Sequence, residues 1–590
     1  MRARTADGCG GEAKNRGGFT LLSAVGLLLS AVLGCASPGR VPEPAPVARV
    51  TAPAAAPVER VAAVSAEESD FTILAVNDVY RIEGVDAGTA GGLARLRTLR
   101  EELETGGQPV LVLHAGDLLF PSLLSHTYLG EQMIDVLNAL DGARGGHDVM
   151  MFAVFGNHEF DKDELSDAAM LDRRVEESEF VWLETNVEFA DGDDGRPLVD
   201  AWNLGETALV LVETGGVEVG IFGLTTDMKH PAYVASFGDP VETARRATEE
   251  LRAEGADVVV ALTHLEMSED LAMLTALGAA GPDLVVGGHE HNAQCQPLPE
   301  EDCRVFKADA EARTASVFDV AVGPVGTGGS RTVRFDHRLV ELDASVEEDP
   351  AVASLVDDWL VRHDREYCTE TLGQPPGCLA EPLGTTRTRL LGEELEIRRY
   401  ETNLGNWVAD RALAAYRPHG AQAAVVNAGS LRLNQDVPAG ADVTRRHVEE
   451  LFPYPAGLVL LRLDGATLQE VVSRAVEGWT GNGWWLQVAG LAFRHEPETG
   501  TASGLTLLAP GGPRPVAPDE ELLVVVPDYL AQGNDGYPML AGAPRVDAPA
   551  ADLKQLVADA LRAAGEEGIA PEVEGRICNT ERPGPCLAMP

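Results

Sequence analysis

The sequence predicts an α/β protein of two globular domains, preceded by an export signal and a tether. Three observations carry this. The chain has 590 residues, more than one hydrophobic core organises. Short β-rich runs alternate with amphipathic helical stretches through residues 71–343, the pattern of an α/β fold. Beyond a helical connector at 347–366, opened by Asp349-Pro350, a second and smaller α/β block carries strands of its own. The expected division is 1–35 signal, 36–68 tether, 69–345 first domain, 346–385 linker, 386–576 second domain and 577–590 tail.

The N-terminus is read first. Arg2, Arg4, Lys14 and Arg16 precede an apolar stretch at 19–33, the layout of a signal peptide. It ends in Val32-Leu33-Gly34-Cys35, which resembles a bacterial lipobox, so the expectation is a lipoprotein held to a membrane through Cys35 and facing the periplasm or cell exterior. Residues 40–68, rich in Ala, Pro and Val, read as a disordered stalk. Six later cysteines fall as close pairs, Cys295 with Cys303, Cys368 with Cys378, and Cys578 with Cys586, and short disulfide loops suit an oxidising compartment. A net charge of −47 argues against a nucleic-acid polymer as partner, because such binding needs a basic face.

In the first block, 72–76, 110–114, 150–155, 219–224, 258–263 and 284–286 read as buried strands. Residues 93–99, 132–140, 243–252 and 269–277 read as helices between them. Strands 423–426, 459–463 and 522–526 follow in the second block. Asn77-Asp78, Gly116-Asp117, Gly156-Asn157-His158, His264 and Gly287-Gly288-His289-Glu290-His291 each come directly after a strand. Loops at the carboxyl ends of strands are where α/β folds put their chemistry, so these five should converge on one site.

Taken in order and at these intervals, the five motifs, with Glu159-Phe160-Asp161 completing the third, resemble the calcineurin-like metallophosphoesterase signature. Leu183-Glu184-Thr185-Asn186-Val187 and Ile221-Phe222-Gly223-Leu224-Thr225-Thr226 are similar to intermediate segments of the periplasmic and ecto-5′-nucleotidase family within it. The resemblance implies an N-terminal β-sandwich flanked by helices and a C-terminal substrate-binding domain. It implies two divalent ions, one held by Asp117, Asn157, His264 and His289 and the other by Asp78, Asp117 and His291. A shared carboxylate suits a two-metal site, and oxygen plus imidazole donors favour zinc, manganese, iron or cobalt over calcium. His158 would touch the phosphoryl oxygens or the leaving group, with Asp161 orienting it as a dyad. One position departs from the family: Asp78-Val79-Tyr80 has Tyr80 where the family has a histidine ligand. Either Tyr80 ligates as a phenolate, or that ion has fewer protein ligands and more water, or it binds weakly or not at all.

In the second block, Tyr400-Glu401-Thr402-Asn403-Leu404-Gly405-Asn406, Asn427-Ala428-Gly429-Ser430-Leu431-Arg432 and 529–537 are similar to the family's substrate motifs. The resemblance puts Tyr454 and Tyr529 on either side of a nucleobase, Asp535 on the ribose, Asn427 on the base and Arg432 on phosphate, where a guanidinium fork fits. The family's earlier arginine falls at Tyr400, with Arg398 or Arg399 as substitutes. The expected activity is 5′-nucleotidase-like hydrolysis of nucleotides to nucleoside and phosphate. The alternatives are a nucleotide-sugar hydrolase, a 2′,3′-cyclic nucleotide phosphodiesterase, and a non-catalytic nucleotide-binding lipoprotein.

Overall fold

The computed structural model describes residues 56–60, 70–143, 145–212, 216–297, 303–324, 330–479, 481–582 and 584–587. The signal segment and Cys35 lie outside the described residues, as does all of the tether except Ala56–Arg60. That short run, expected to be part of the stalk, instead pairs in parallel with Ser330–Glu341 and covers its edge.

Two large sheets form the body of the first block. One is eight-stranded, in the order Ala56–Arg60, Ser330–Glu341, Thr314–Val322, Phe71–Val76, Val110–His114, Met151–Val154, Val181–Leu183 and Leu204–Gly205. The other is six-stranded, in the order Gln294–Gln296, Val305–Lys307, Leu284–Gly287, Val258–His264, Val217–Thr225 and Thr207–Val212. Side chains alternate across a strand, and in the central strands both faces are buried, which is why those strands read as continuous apolar runs. Phe71, Ile73 and Ala75 enter a core shared with Ile221, Val260 and Leu262 of the other sheet, whereas Leu74 and Val76 pack outward with Leu96, Leu137 and Trp182. Helices Pro240–Glu254 and Met267–Leu277 cover the far side through Ala247, Leu251 and Met273. The result is a β-sandwich flanked by helices, as expected.

The long antiparallel pair Thr314–Val322 and Ser330–Glu341 was not among the expected strands. Asp319 breaks the apolar pattern of the first of these; it is buried against the Thr72 hydroxyl, 3.2 Å away, and Arg338. The connecting helix forms at Pro350–Glu366, where the Asp349 carboxylate accepts from the N–H groups of Ala351 and Val352 at 3.0 and 2.9 Å, and proline takes the first turn. Its Val352, Val356 and Trp359, on one face, join the first core. This helix packs on the first block rather than bridging open space.

The second block contains a five-stranded sheet, Leu486–Ala489, Ala423–Asn427, Glu521–Pro527, Gly457–Asp464 and Arg545–Asp552, and a four-stranded one ending in Ile577–Asn579. That last strand falls in the expected tail and pairs in parallel with Leu491–Glu496. Among the described residues, the disulfides are Cys295–Cys303, Cys368–Cys378 and Cys578–Cys586, the pairing expected from spacing.

Candidate metal centre and substrate cleft

The five strand-end loops of the first block do converge, at some conformational cost. Asp78, Asp117, His289 and His291 all have positive φ, at 53°, 57°, 88° and 61°, a region that side-chain-bearing residues seldom adopt and that clusters at functional sites. Glycine lets the loops touch: a Cβ at Gly156 would collide with Asp117 Oδ1. Glu159 then pins the arrangement. Its buried carboxylate accepts from the backbone N–H groups of Asp117, Leu118, Leu119 and Gly156 at 2.9, 2.7, 2.9 and 2.5 Å.

Two donor groups share Asp117. In the first, Asp78, Asp117 and His291 each offer an atom, all within 4.8 Å of one another. Asp78 Oδ1 is 3.2 Å from His291 Nε2, and the Tyr80 hydroxyl lies 3.4 Å from Asp78 Oδ1, 3.1 Å from Asp117 Oδ2 and 2.8 Å from His291 Nε2. In the second, His264 Nε2 is 3.3 Å from Asp117 Oδ2, His289 Nδ1 is 3.1 Å from Asn157 Oδ1, and the two imidazole nitrogens are 3.4 Å apart. His264 Nδ1 donates to the Ala115 carbonyl at 2.7 Å, which turns Nε2 toward the group.

The electrostatics are those of a cation site. Burial raises the Asp78 carboxyl, but the charges of His291 and His264 and hydrogen bonds from His291 and Asn77 outweigh it and hold the group well below the usual carboxylate range. For His264, burial is outweighed by Asp117 and Asp78, and its value rises to about 9. His289 goes the other way, to about 3, through burial and the neighbouring His264. Burial, with Asp117 and Asp78 beside it, pushes the Tyr80 phenol well above its ordinary value. Buried carboxylates facing one another, with imidazole nitrogens turned toward them, suit cations between them. Oxygen and imidazole donors in these numbers fit divalent transition metals.

Beside this centre, His158 Nδ1 meets Asp161 Oδ2 at 2.9 Å, while Nε2 is 4.0 Å from Asp117 Oδ2. Lys229, absent from the sequence reading, binds the other oxygen of Asp161 at 2.7 Å. Burial raises the Asp161 carboxyl, but His158 and Lys229 outweigh it and keep it ionised far below the usual range.

The second block faces the same cleft. Tyr454 and Tyr529 are 41% and 46% exposed, conspicuous for large rings. Tyr454 meets His126 of the first block edge to face, with ring centroids 5.5 Å apart. The Tyr529 hydroxyl donates to Asp535 Oδ1 at 2.9 Å and the Asn427 amide to Oδ2 at 2.8 Å, so the three residues form one unit. Arg432 donates through Nε to the Gly429 carbonyl at 2.8 Å. Arg398 and Arg399 part company: Arg398 pairs with Glu394 at 2.5 Å, on the side of the first donor group, whereas Arg399 lies near Gly481. The Tyr400 ring carries the Arg582 guanidinium 3.8 Å from its centroid, a cation brought in from the far end of the chain.

Comparison with known proteins agrees with this arrangement. Residues 71–293 match the calcineurin-like phosphoesterase family, and residues 382–542 match the 5′-nucleotidase C-terminal domain. The trifunctional nucleotide phosphoesterase protein YfkN of Bacillus subtilis is 26% identical over 543 residues, covering 86% of this chain and 35% of that one, so the chain spans about a third of that relative. The 5′-nucleotidase of Bos taurus is 24% identical over 517 residues, 80% of this chain and 84% of that protein. In fold, the 5′-nucleotidase precursor from Thermus thermophilus superposes with a TM-score of 0.67 at 24% identity, over 87% of this chain and 100% of that one. With both domains present in order and a metal-competent centre at the strand ends of the first, the chain belongs to the 5′-nucleotidase family of metal-dependent phosphoester hydrolases.

Proposed function

We propose that the chain is an exported, lipid-anchored 5′-nucleotidase that hydrolyses nucleoside monophosphates with two divalent ions, zinc, manganese, iron or cobalt. The observation that carries this reading is the sharing of Asp117 Oδ2 between two donor groups, with the His158–Asp161 pair beside them. Asp78, Asp117, His291 and Tyr80 would hold one ion, and Asp117, Asn157, His264 and His289 the other. Such a pair of ions supplies charge for the phosphoryl oxygens and an acidified water as nucleophile.

The chain's own residues do the rest. His158, oriented by Asp161, presents Nε2 to the phosphoryl oxygens and donates a proton to the departing oxygen. His158 and then Lys229 keep Asp161 ionised, and Lys229 holds its second oxygen, so the carboxylate fixes the imidazole in one orientation. Arg432 pairs with phosphate. Tyr454 and Tyr529 stack on the base, which tolerates any base because every base has a π-face. Asp535, although both oxygens already accept, retains lone pairs for ribose hydroxyls. Three disulfides support export to an oxidising compartment.

The test is phosphate release from nucleoside monophosphates, nucleotide sugars and 2′,3′-cyclic nucleotides with manganese, zinc or cobalt added, on wild type and Asp117→Asn. Monophosphates should be the fastest substrates, and Asp117→Asn should lose metal and activity together while staying folded. A variant with full metal content by elemental analysis would refute the shared-carboxylate assignment.

A further inference from the structure

Glu394 belongs to the second block yet reaches into the first. It opens the helix Glu394–Arg399, whose start is fixed by the Glu393 carboxylate accepting from the N–H groups of Leu395 and Glu396 at 3.1 and 3.0 Å. Its side chain is 5% exposed, and its Oε2 stands 2.7 Å from His291 Nδ1. Arg398, one turn along, holds Oε1 at 2.5 Å, so the carboxylate is clamped on both oxygens. His291 Nδ1–H donates to it, which turns His291 Nε2 toward Asp78 Oδ1, 3.2 Å away, and the Tyr80 hydroxyl, 2.8 Å away.

We propose that Glu394 is a positioning residue for His291, so that the first metal group is completed across the interface between the two blocks. This rests on the reading that these donor groups hold metal ions. A carboxylate on the far nitrogen of a ligating imidazole fixes its tautomer, sets the ring plane and raises its basicity. His291 sits on a loop in the left-handed region at φ 61°, and the Glu394 carboxylate is the group that holds its Nδ1. Here it is supplied in trans to the sandwich, 103 residues along the chain. The affinity of the first group is thereby tied to the position of the second block: when the blocks separate, His291 loses its orienting carboxylate.

The experiment is titration of manganese into the full-length, metal-stripped protein, followed by calorimetry and elemental analysis, with three substitutions of graded reach and charge. Glu394→Ala removes the contact. Glu394→Asp keeps the charge but is one methylene too short. Glu394→Gln loses the charge but keeps an acceptor for Nδ1–H. One ion should bind to all three variants as to wild type. The other should bind roughly 10- to 100-fold more weakly to the Ala and Asp variants, and much closer to wild type in Gln. Two unchanged ions in both Ala and Asp variants would overturn the proposal. So would the reverse order, Asp like wild type and Gln weakened, which would assign Glu394 a role of charge alone. The two-metal reading is judged on the wild-type stoichiometry and Glu394 on the difference from it, so either can fail alone.

Discussion

Tyr80 stands where the family resemblance leads to the expectation of a histidine, and its hydroxyl touches all three donors of the first group. Burial and the two carboxylates hold the phenol neutral, so it is a poorer ligand than an imidazole for an ordinary divalent ion. Tyr80→His should therefore raise occupancy of the first group and shift its metal preference, measured by elemental analysis after equilibration with zinc and manganese. Less metal than in the parent would mean that the pocket is built around the phenol. His158 makes a second test at this scale. His158→Ala should leave metal content near wild type and lower turnover by ~10²–10⁴, the usual range for a lost acid or base. Unchanged turnover would reduce the residue to packing. The His158–Asp161 pair was legible because both members lie in one motif, three residues apart. Lys229 was not, since it comes from a loop 68 residues later.

At the scale of elements, the strand ends are held by groups that the sequence offers without announcing. Glu159 collects four backbone N–H groups from two loops, and Glu159→Ala would orphan them in a buried place. The expected cost is about 1–3 kcal/mol, more if the loops spring apart, and it is read from urea unfolding alongside metal content. Glu184, at the end of Val181–Leu183, tests electrostatics away from the metal centre. Burial, with Glu206 and Asp200 nearby, pushes its carboxyl up to about 8 from an ordinary 4.5. The folded chain thus keeps a proton that the unfolded chain releases, so this contribution to stability is full below pH 4.5 and is lost as pH rises through about 8. The wild-type Tm should fall across that window more steeply than that of Glu184→Gln, and parallel curves would remove the assignment.

For the whole molecule, the two blocks meet along the loop after Phe71–Val76. Arg81 pairs with Glu450 at 3.0 Å and donates to the Leu433 carbonyl at 2.8 Å, while Asp86 exchanges hydrogen bonds with Gln435 and Asp436 at 3.1 Å. Tyr454 against His126 and Glu394 against His291 extend the same seam. On the proposed reading a nucleotide spans Tyr454 and Asp117 and enters between surfaces that touch here, so parting of the blocks is the expected step in each cycle. Cysteines at positions 86 and 435, joined by a short photocleavable bis-maleimide, should suppress turnover, and light should restore it. Full activity in a verified cross-linked form would show that the seam need not open.

What the sequence determined by itself was whatever is decided over a few residues. Polar residues placed directly after a strand sit at its end, a capping aspartate precedes its helix, and a short disulfide loop needs two nearby cysteines. The buried strands, the five loops, the helix after Asp349 and the three disulfides were all legible for that reason, whereas the sandwich was implied by the family resemblance. The tertiary structure alone decided which distant groups meet. Glu394 reaches His291, Lys229 reaches Asp161, Arg582 covers Tyr400, and the connecting helix lies on the first core. Each depends on the packing of apolar faces in segments dozens to hundreds of residues apart. A charged side chain carries no mark in the sequence of the partner that such packing brings to it.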